Sequence, residues 1–190
     1  NGLCKNILVS MGSMDTSGVT LNIIEVLKSL ITDEPEHYKI DIVLGKSSPI
    51  LNLVNYNIKG FKNFILNIEP KDMSKFYKKC HIALGAPGFS LSERMVSGLP
   101  SIIIPQNHYH EAITENWCKL GSAIASQNDK PSIERAIKKL LMDNTLRNNI
   151  RKKGLKLLKI KQKQSERKNV IVKVLQFNCG KCNFNFEKRL

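Results

Sequence analysis

Six short runs of β-branched and other apolar residues alternate with helical patterns along this chain of 190 residues. The runs are residues 7–9, 40–44, 64–66, 82–84, 101–104 and 122–124. The helical patterns that follow them are residues 19–31, 49–56, 73–80, 91–97, 111–120 and 132–142. Such alternation is typical of βαβ units, in which the strands are parallel and helices cover both faces of the sheet. The predicted fold is therefore α/β, a Rossmann-like parallel sheet of about six strands with helices on both faces.

Two glycine-containing loops are expected to meet at one edge of this sheet. Open parallel sheets bind ligands beyond the carboxyl ends of their strands, where the strand order reverses, and in the common order 3-2-1-4-5-6 strands one and four are neighbours there. Residues 11–15 follow the first predicted strand, and residues 85–88 follow the fourth. We therefore predict that these two loops form the walls of one crevice.

The loop after the fourth strand has the composition of an anion-binding turn. It consists of Gly85, Ala86, Pro87 and Gly88, and a helical pattern follows it directly. Backbone N–H groups of such a loop and of the helix start point outward beside the positive end of the helix dipole. A diphosphate could be held there.

Gly12 and Ser13, in the loop after the first strand, admit two interpretations. Glycine allows the sharp backbone turn that a strand-to-helix connection needs, which is a purely structural use. Alternatively, Ser13 and its neighbours donate hydrogen bonds to a phosphate at the first helix. The dinucleotide pattern G-x-G-x-x-G and the Walker lysine motif are both missing from the sequence.

Ser90 and Glu93 also have a structural and a functional interpretation. The order Ser90-Leu91-Ser92-Glu93 matches a capping box, in which both side chains accept hydrogen bonds from N–H groups at the helix start. In the alternative, Ser90 caps the helix and the Glu93 carboxylate accepts hydroxyl groups of a ribose. The sequence leaves both open.

A dense polar run follows the fifth predicted strand, at residues 106–111. Polar loops at the carboxyl end of a strand are either ordinary surface or binding loops. His108 and His110 are candidate metal ligands by residue type, but no Cys or Asp lies at convincing zinc spacing from them. We predict neither a metal nor a cofactor.

The positive charge of the chain is concentrated near its C-terminus. The net charge is +14, and residues 146–173 contain eleven Lys and Arg against the single acid Glu166. Such a stretch is either a solvated basic face or a surface for an anionic partner such as lipid headgroups. Aromatic side chains for base stacking are missing from it, so no specific nucleic-acid partner is predicted.

The cysteines and the N-terminal residues indicate in which cellular compartment the protein is expected. Five scattered cysteines are expected to be reduced thiols, and Cys179 and Cys182 form a C-x-x-C that is either fortuitous or half of a shared zinc site. No run is long and apolar enough for a membrane span, and no secretory signal is recognisable. The chain opens at Asn1 and enters a strand within a few residues, so we expect a cytoplasmic segment of a longer protein.

Two regions are predicted. Residues 1–145 form the Rossmann-like domain, and residues 146–190 form a basic helical extension that packs on the domain or crosses from it. Within the extension we expect a long helix that bends or breaks near Gly154 and a final helix over residues 165–175.

The order strand-G-x-P-G-x-S-x-x-E-x-x-x-x-G-L-P-S-I-I-I-P, over residues 85–105, resembles the C-terminal domain of GT-B type nucleotide-sugar enzymes. The start of the first strand and its loop, Ile-Leu-Val-Ser-Met-Gly-Ser-Met-Asp, belongs to the same resemblance. The chain is most similar to the UDP-2,4-diacetamido-2,4,6-trideoxy-β-L-altropyranose hydrolases of pseudaminic acid biosynthesis. It is more distantly similar to the N-acetylglucosaminyltransferases that make lipid II. The resemblance covers roughly residues 6–124.

The resemblance implies roles for individual residues. The loop at Gly12 and Ser13 and the loop at residues 85–88 would receive the diphosphate of UDP, with Ser90 close by, and Glu93 would hold the ribose. The family usually shows Asn-Gln-x-x-x-Ala before the next helix, and this sequence departs from that pattern. Either Tyr109 and His110 or, with an insertion, Asn107 and His108 stand at the Asn and Gln positions, so Asn107 and His110 are the candidate binding residues.

The resemblance also implies a function for the whole protein. This chain would be the UDP-binding domain of a UDP-sugar hydrolase that acts at the sugar–phosphate link, and its catalytic residues would lie in an N-terminal half outside the chain. Alone, the chain is expected to bind UDP or a UDP-sugar without turning it over. The alternatives are half of a GT-B glycosyltransferase with a second acceptor, or a non-catalytic basic binding module.

Overall fold

The computed structural model describes residues 5–32 and 35–165 and contains one six-stranded sheet. Its strands are β1 (Asn6–Ser10), β2 (Lys39–Leu44), β3 (Phe64–Ile68), β4 (Ile82–Gly85), β5 (Ser101–Ile103) and β6 (Ile124–Ala125). They lie in the order β3-β2-β1-β4-β5-β6, and every neighbouring pair is parallel. The predicted α/β fold and strand order are therefore confirmed.

Helices connect the strands as the alternation predicted. They are α1 (Val19–Leu30), α2 (Leu51–Ile58), α3 (Ser74–Lys79), α4 (Phe89–Val96), α5 (His108–Lys119), α6 (Lys130–Met142) and α7 (Asn144–Ser165), with a 3-10 turn at Pro35–His37. Three helices begin earlier than predicted: α4 begins at Phe89 rather than at residue 91, α5 at His108 rather than at residue 111, and α6 at Lys130 rather than at residue 132.

The central strands are buried on both faces because their side chains point alternately to opposite sides of the sheet. In β1, Ile7 and Val9 join the core under α1, α2 and α6, whereas Leu8 joins the cluster under α3. A third cluster packs α4 and α5 on β5 through Met95 and Trp117. Helices thus cover both faces, as predicted.

A buried carboxylate of β2 pairs with an exposed lysine on the face that carries α3. Asp41 is only 1% exposed, and its Oδ2 is 2.8 Å from Nζ of Lys79 at the end of α3. Asn67 of β3 donates a further hydrogen bond of 3.2 Å to Oδ1. The carboxylate is therefore compensated by a cation and an amide in the strand and helix that flank it.

α7 continues as one helix through Gly154, so a break there is wrong, whereas a bend there stays a prediction. Gly154 is buried against α4, and a Cβ at this position would lie 2.7 Å from the Met95 carbonyl oxygen. At the end of α4, Gly98 has a φ of +69° and packs beside Arg151 and Leu155 of α7. Gly154 therefore allows two helix backbones to approach closely.

The first part of the basic extension is described, and the rest is not. Arg151, Lys152, Lys153 and Lys156 are exposed on α7, and its residues 144–165 contain no acid. A membrane-surface partner for residues 146–173, and the division of the chain at residue 145, stay predictions. The expected helix over residues 165–175 lies, except for its first residue, outside the described residues.

Two of the five cysteines lie within the described residues, and three lie outside them. Cys80 and Cys118 form no disulfide within the part of the chain that is described. Cys4, Cys179 and Cys182 lie outside it, so the structure does not test the C-x-x-C prediction.

Among the helices of the described residues, none is both long and apolar enough to cross a bilayer.

Gly154→Ala should lower the free energy of unfolding by about 1–3 kcal/mol, because the new Cβ collides with the α4 backbone. An exposed helix glycine would respond in the opposite direction, since Gly→Ala usually stabilises a helix by about 0.5–1 kcal/mol. Denaturant unfolding of both proteins measures the sign. Asn149→Ala, at an exposed position of α7, is the control and should stay within about 0.5 kcal/mol. A more stable Gly154→Ala protein would contradict the close contact.

Candidate functional site

The pairing of β1 with β4 places the two glycine loops side by side. Ser10, the last residue of β1, pairs with Gly85, the last residue of β4. Gly85 in turn pairs with Ile103 at the end of β5. The loops after these three strands therefore leave the sheet at the same edge, as the sequence predicted.

Gly12 and Ser13 lie exposed at this edge. Gly12 has a φ of +103°, a left-handed conformation that favours glycine, and nothing lies within 4 Å of the place where a Cβ would be. The Ser13 carbonyl oxygen accepts a 2.8 Å hydrogen bond from the N–H of Gly45, just after β2. The turn therefore favours a glycine at position 12 for its backbone conformation, and it leaves open space on the Cβ side of that glycine.

The N-terminus of α1 is occupied by a side chain of the protein itself. Asp15 is 3% exposed, and its carboxylate accepts hydrogen bonds from the N–H groups of Val19 (3.2 Å) and Thr20 (2.8 Å). These are among the N–H groups that a helix start leaves unpaired. A phosphate at the start of the first helix would therefore find these two N–H groups already satisfied by Asp15, whereas donation from Ser13 and its neighbours stays a prediction.

Gln106 ties the loop after β5 to the loop after β1. Its Nε2 donates to the Met11 carbonyl oxygen and to Oδ1 of Asp15, both at 3.1 Å. Its backbone N–H donates to Nδ1 of His110 at 3.2 Å. Burial lowers the pKa of His110, so the imidazole is neutral near pH 7 and can accept this hydrogen bond.

Asn107 is the N-cap of α5, which explains the early start of that helix. Its Oδ1 accepts a 3.0 Å hydrogen bond from the N–H of His110. Asn is among the preferred residues at this position. The structure therefore places Asn107 and His110 at the expected edge and gives both of them a role in shaping the loop.

Gly85 is needed for a contact that sequence analysis did not anticipate. A Cβ at Gly85 would lie 2.5 Å from Nη1 of Arg94, whose side chain is 0% exposed. The guanidinium thus lies directly against the backbone at the end of β4. Pro87 of the same loop is buried, whereas Gly88 is exposed with open space on its Cβ side.

The capping-box interpretation of Ser90 and Glu93 is wrong. Gly88 is the N-cap of α4, and no side chain caps this helix. Because the helix begins at Phe89, Ser90 lies inside its first turn, one turn from Arg94, and its Oγ accepts a 3.2 Å hydrogen bond from Nη1 of Arg94. The first N–H groups of α4 are therefore left for another acceptor.

Glu93 is exposed on α4 and is held by a tyrosine of the neighbouring helix. The Tyr77 hydroxyl donates a 2.8 Å hydrogen bond to its Oε2. Burial, together with this hydrogen bond, raises the pKa of Tyr77. Tyr77 therefore remains a donor at neutral pH and orients the carboxylate, a role that the helical spacing of α3 alone did not indicate.

An open groove of about 1380 Å³ runs along β6 between α5 and α6. His108 and Tyr109 of α5 and Arg135 and Lys139 of α6 are among its lining residues. None of the predicted site residues lines it. The candidate site is thus the surface formed by the loops after β1, β4 and β5, not the groove. Within residues 5–32 and 35–165, no group of three or more His, Cys, Asp or Glu side chains could hold a metal.

Comparisons with known proteins agree with this architecture. No family model matches the chain. Over 121 residues the chain is 23% identical to the spore coat polysaccharide biosynthesis protein SpsG of Bacillus subtilis, a match that covers 64% of this chain and 35% of SpsG.

Solved structures cover more of the chain. The UDP co-structure of MnaA from S. aureus superposes with a TM-score of 0.64 at 17% identity, covering 78% of this chain and 39% of that one. WaaG, a glycosyltransferase involved in lipopolysaccharide biosynthesis, superposes with a TM-score of 0.65 at 16% identity, covering 94% and 48% respectively. The chain thus spans about a third of SpsG and less than half of either solved structure. At these identities the likeness establishes the fold, and that fold is a Rossmann-like domain of GT-B type.

Proposed function

We propose that this chain is the UDP-binding domain of a two-domain nucleotide-sugar enzyme. The observation that carries the proposal is the pairing of Ser10 with Gly85, which brings the Gly12 loop and the start of α4 to one edge of the sheet. Ligands of this fold class bind at that edge. The UDP in the MnaA neighbour supports the choice of nucleotide.

The diphosphate has two open backbone surfaces to approach. Gly12 and Gly88 are exposed, and neither has any atom within 4 Å of a Cβ position. The start of α4 lacks a side-chain cap, so N–H groups of Phe89 and Ser90 can donate to an anion at the positive end of the helix. Because Asp15 occupies the start of α1, we assign the diphosphate to the α4 side of the crevice.

Glu93 is the candidate for holding the ribose. Its carboxylate is exposed, and Tyr77 engages only Oε2. A carboxylate offers about four lone-pair sites, so acceptor capacity remains for ribose hydroxyls. Because Tyr77 already restricts the orientation of the carboxylate, less conformational entropy is lost when the carboxylate binds a ligand.

Asn107 and His110 remain candidates for contact with the sugar. Asn107 Oδ1 and His110 Nδ1 each accept a backbone N–H within the loop, so a ligand would meet Asn107 Nδ2 or His110 Nε2. Both groups can donate hydrogen bonds to sugar oxygens. In this assignment the loop after β5 positions the sugar, and the loop after β4 holds the phosphates.

We propose hydrolysis of a UDP-sugar at the sugar–phosphate link as the activity of the whole enzyme, in nonulosonic acid biosynthesis. The catalytic groups would be supplied by an N-terminal half. Similarity to SpsG, a polysaccharide biosynthesis protein, supports a sugar substrate. A glycosyltransferase half is the second candidate, favoured by the fold shared with WaaG. The two differ in the acceptor, which is water in one and a sugar or lipid in the other.

Isothermal calorimetry with UDP, CDP and GDP at matched ionic strength tests the binding proposal. We expect UDP to bind more tightly than CDP and GDP, because the proposed site recognises the uracil base as well as the diphosphate. Repeating the UDP titration at increasing salt separates the proposal from a non-catalytic basic module, whose affinity would fall steeply with salt without preference for uracil. No heat with millimolar UDP would count decisively against the proposal.

Glu93→Gln should weaken UDP binding by more than about tenfold, equivalent to roughly 1.4 kcal/mol, because an amide accepts ribose hydroxyls less well than a carboxylate. Its melting temperature should barely change, since Tyr77 can donate to the amide oxygen. Tyr77→Phe is the matched variant and should weaken UDP binding less while lowering stability by about 1 kcal/mol. Calorimetry and thermal unfolding measure both. Intact binding by Glu93→Gln with lower stability would show that Glu93 is structural.

A further inference from the structure

Arg94 is a fully buried cation, and among the described residues no carboxylate lies within ion-pair distance of it. Its guanidinium is 0% exposed and lies against Gly85. Nη1 donates to Oγ of Ser90 at 3.2 Å, and Nη2 donates to the Ala86 carbonyl oxygen at 3.1 Å. Nε has no hydrogen-bond partner, and no ion pair of Arg94 occurs within the described residues.

Such an arrangement is costly for a domain without a ligand. A buried charge is tolerated when it is paired and fully hydrogen-bonded, and Arg94 has only two neutral acceptors. The nearest acid along the chain is Glu93, whose Oε2 is engaged by Tyr77. Burial lowers the pKa of Arg94 to about 10, while Tyr77 and the Glu93 carboxylate act in the opposite direction, so the guanidinium is still charged at neutral pH.

Both hydrogen bonds of Arg94 reach into one short segment, residues 86–90. This segment is the one to which the diphosphate is assigned, and it carries the uncapped start of α4. A buried cation next to this segment attracts an anion that binds to the backbone N–H groups of the segment. The interaction is strong because little water intervenes.

We propose that Arg94 is the buried counter-charge of the diphosphate site, a positioning residue that holds residues 86–90 and makes the site select ligands by their negative charge. The inference rests on the proposed UDP site. It adds that part of the affinity comes from a residue that does not touch the ligand. The affinity ratio of UDP to uridine therefore reports on Arg94, because the two ligands share base and ribose and differ in the diphosphate.

The test compares uridine, UMP, UDP and inorganic pyrophosphate by calorimetry on the full chain and on Arg94→Met, which removes the charge and keeps an unbranched apolar stem. We expect UDP and pyrophosphate to lose at least about tenfold in affinity, UMP to lose less, and uridine to change by less than about threefold. Met95→Leu, a buried neighbour on α4, is the control and should leave the UDP-to-uridine ratio unchanged. Equal losses for all four ligands would overturn the proposal, since they would show only a misplaced loop.

Arg94→Lys keeps the proposal testable where Arg94→Met does not fold. Burial lowers the pKa of a lysine, so the UDP-to-uridine ratio of this variant should fall between pH 7 and pH 9, while that of the parent protein stays nearly constant. Taking the ratio removes the titration of the uracil, which both ligands contain. A ratio that does not respond to pH in Arg94→Lys overturns the charge role.

Failure of the proposed function gives a different pattern. A parent protein that binds pyrophosphate but shows no preference for UDP over CDP and GDP would contradict uridine recognition and leave the role of Arg94 standing. A parent protein that binds neither UDP nor pyrophosphate would overturn both proposals. A parent that prefers UDP, with an unchanged UDP-to-uridine ratio in Arg94→Met, would overturn the role of Arg94 alone.

Discussion

The parallel pairing of β1 with β4 is the contact on which the candidate site depends. These strands are separated by about seventy residues of chain that include the three helices α1, α2 and α3 and two further strands. Their register sets Ser10 beside Gly85, and this pairing brings the loop at Gly12 and the start of α4 to the same end of the sheet. The hydrogen bonds of Gln106 to Met11 and Asp15 extend the same edge to β5. The site is therefore a product of strand order, not of any single loop.

The loop after β4 meets two steric requirements from opposite sides. Beneath it, Gly85 makes room for the Arg94 guanidinium, and a methyl group there would overlap the cation. Above it, Gly88 leaves its outer side open at the start of α4. Glycines that look equivalent in the sequence thus serve different purposes. The first accommodates an internal charge, and the second admits a ligand to the backbone.

The sequence was sufficient for the fold and for the place of the site because strand runs, helix periodicity and loop positions are local patterns. It was not sufficient for partners that are distant along the chain. The sequence does not indicate that the Gln106 side chain contacts Asp15, because the loop after β5 meets the loop after β1 only in the folded sheet. Nor does it indicate that Tyr77 donates to Glu93, because α3 and α4 become neighbours only in the fold. The capping box failed for a local reason: Gly88 starts α4 before Ser90 can cap it.

The ion pair between Asp41 and Lys79 has a consequence for how the sheet assembles. Apolar strands such as β1 and β2 could pair almost as well after a shift of one residue, since isoleucine and leucine are tolerated on either face. Asp41 cannot shift in this way, because a one-residue slip would turn its carboxylate toward α1 and α2, away from Lys79 and Asn67. Misaligned sheets would therefore contain an uncompensated charge from the moment they form. The buried carboxylate of Asp41 therefore disfavours misaligned sheets relative to the native register.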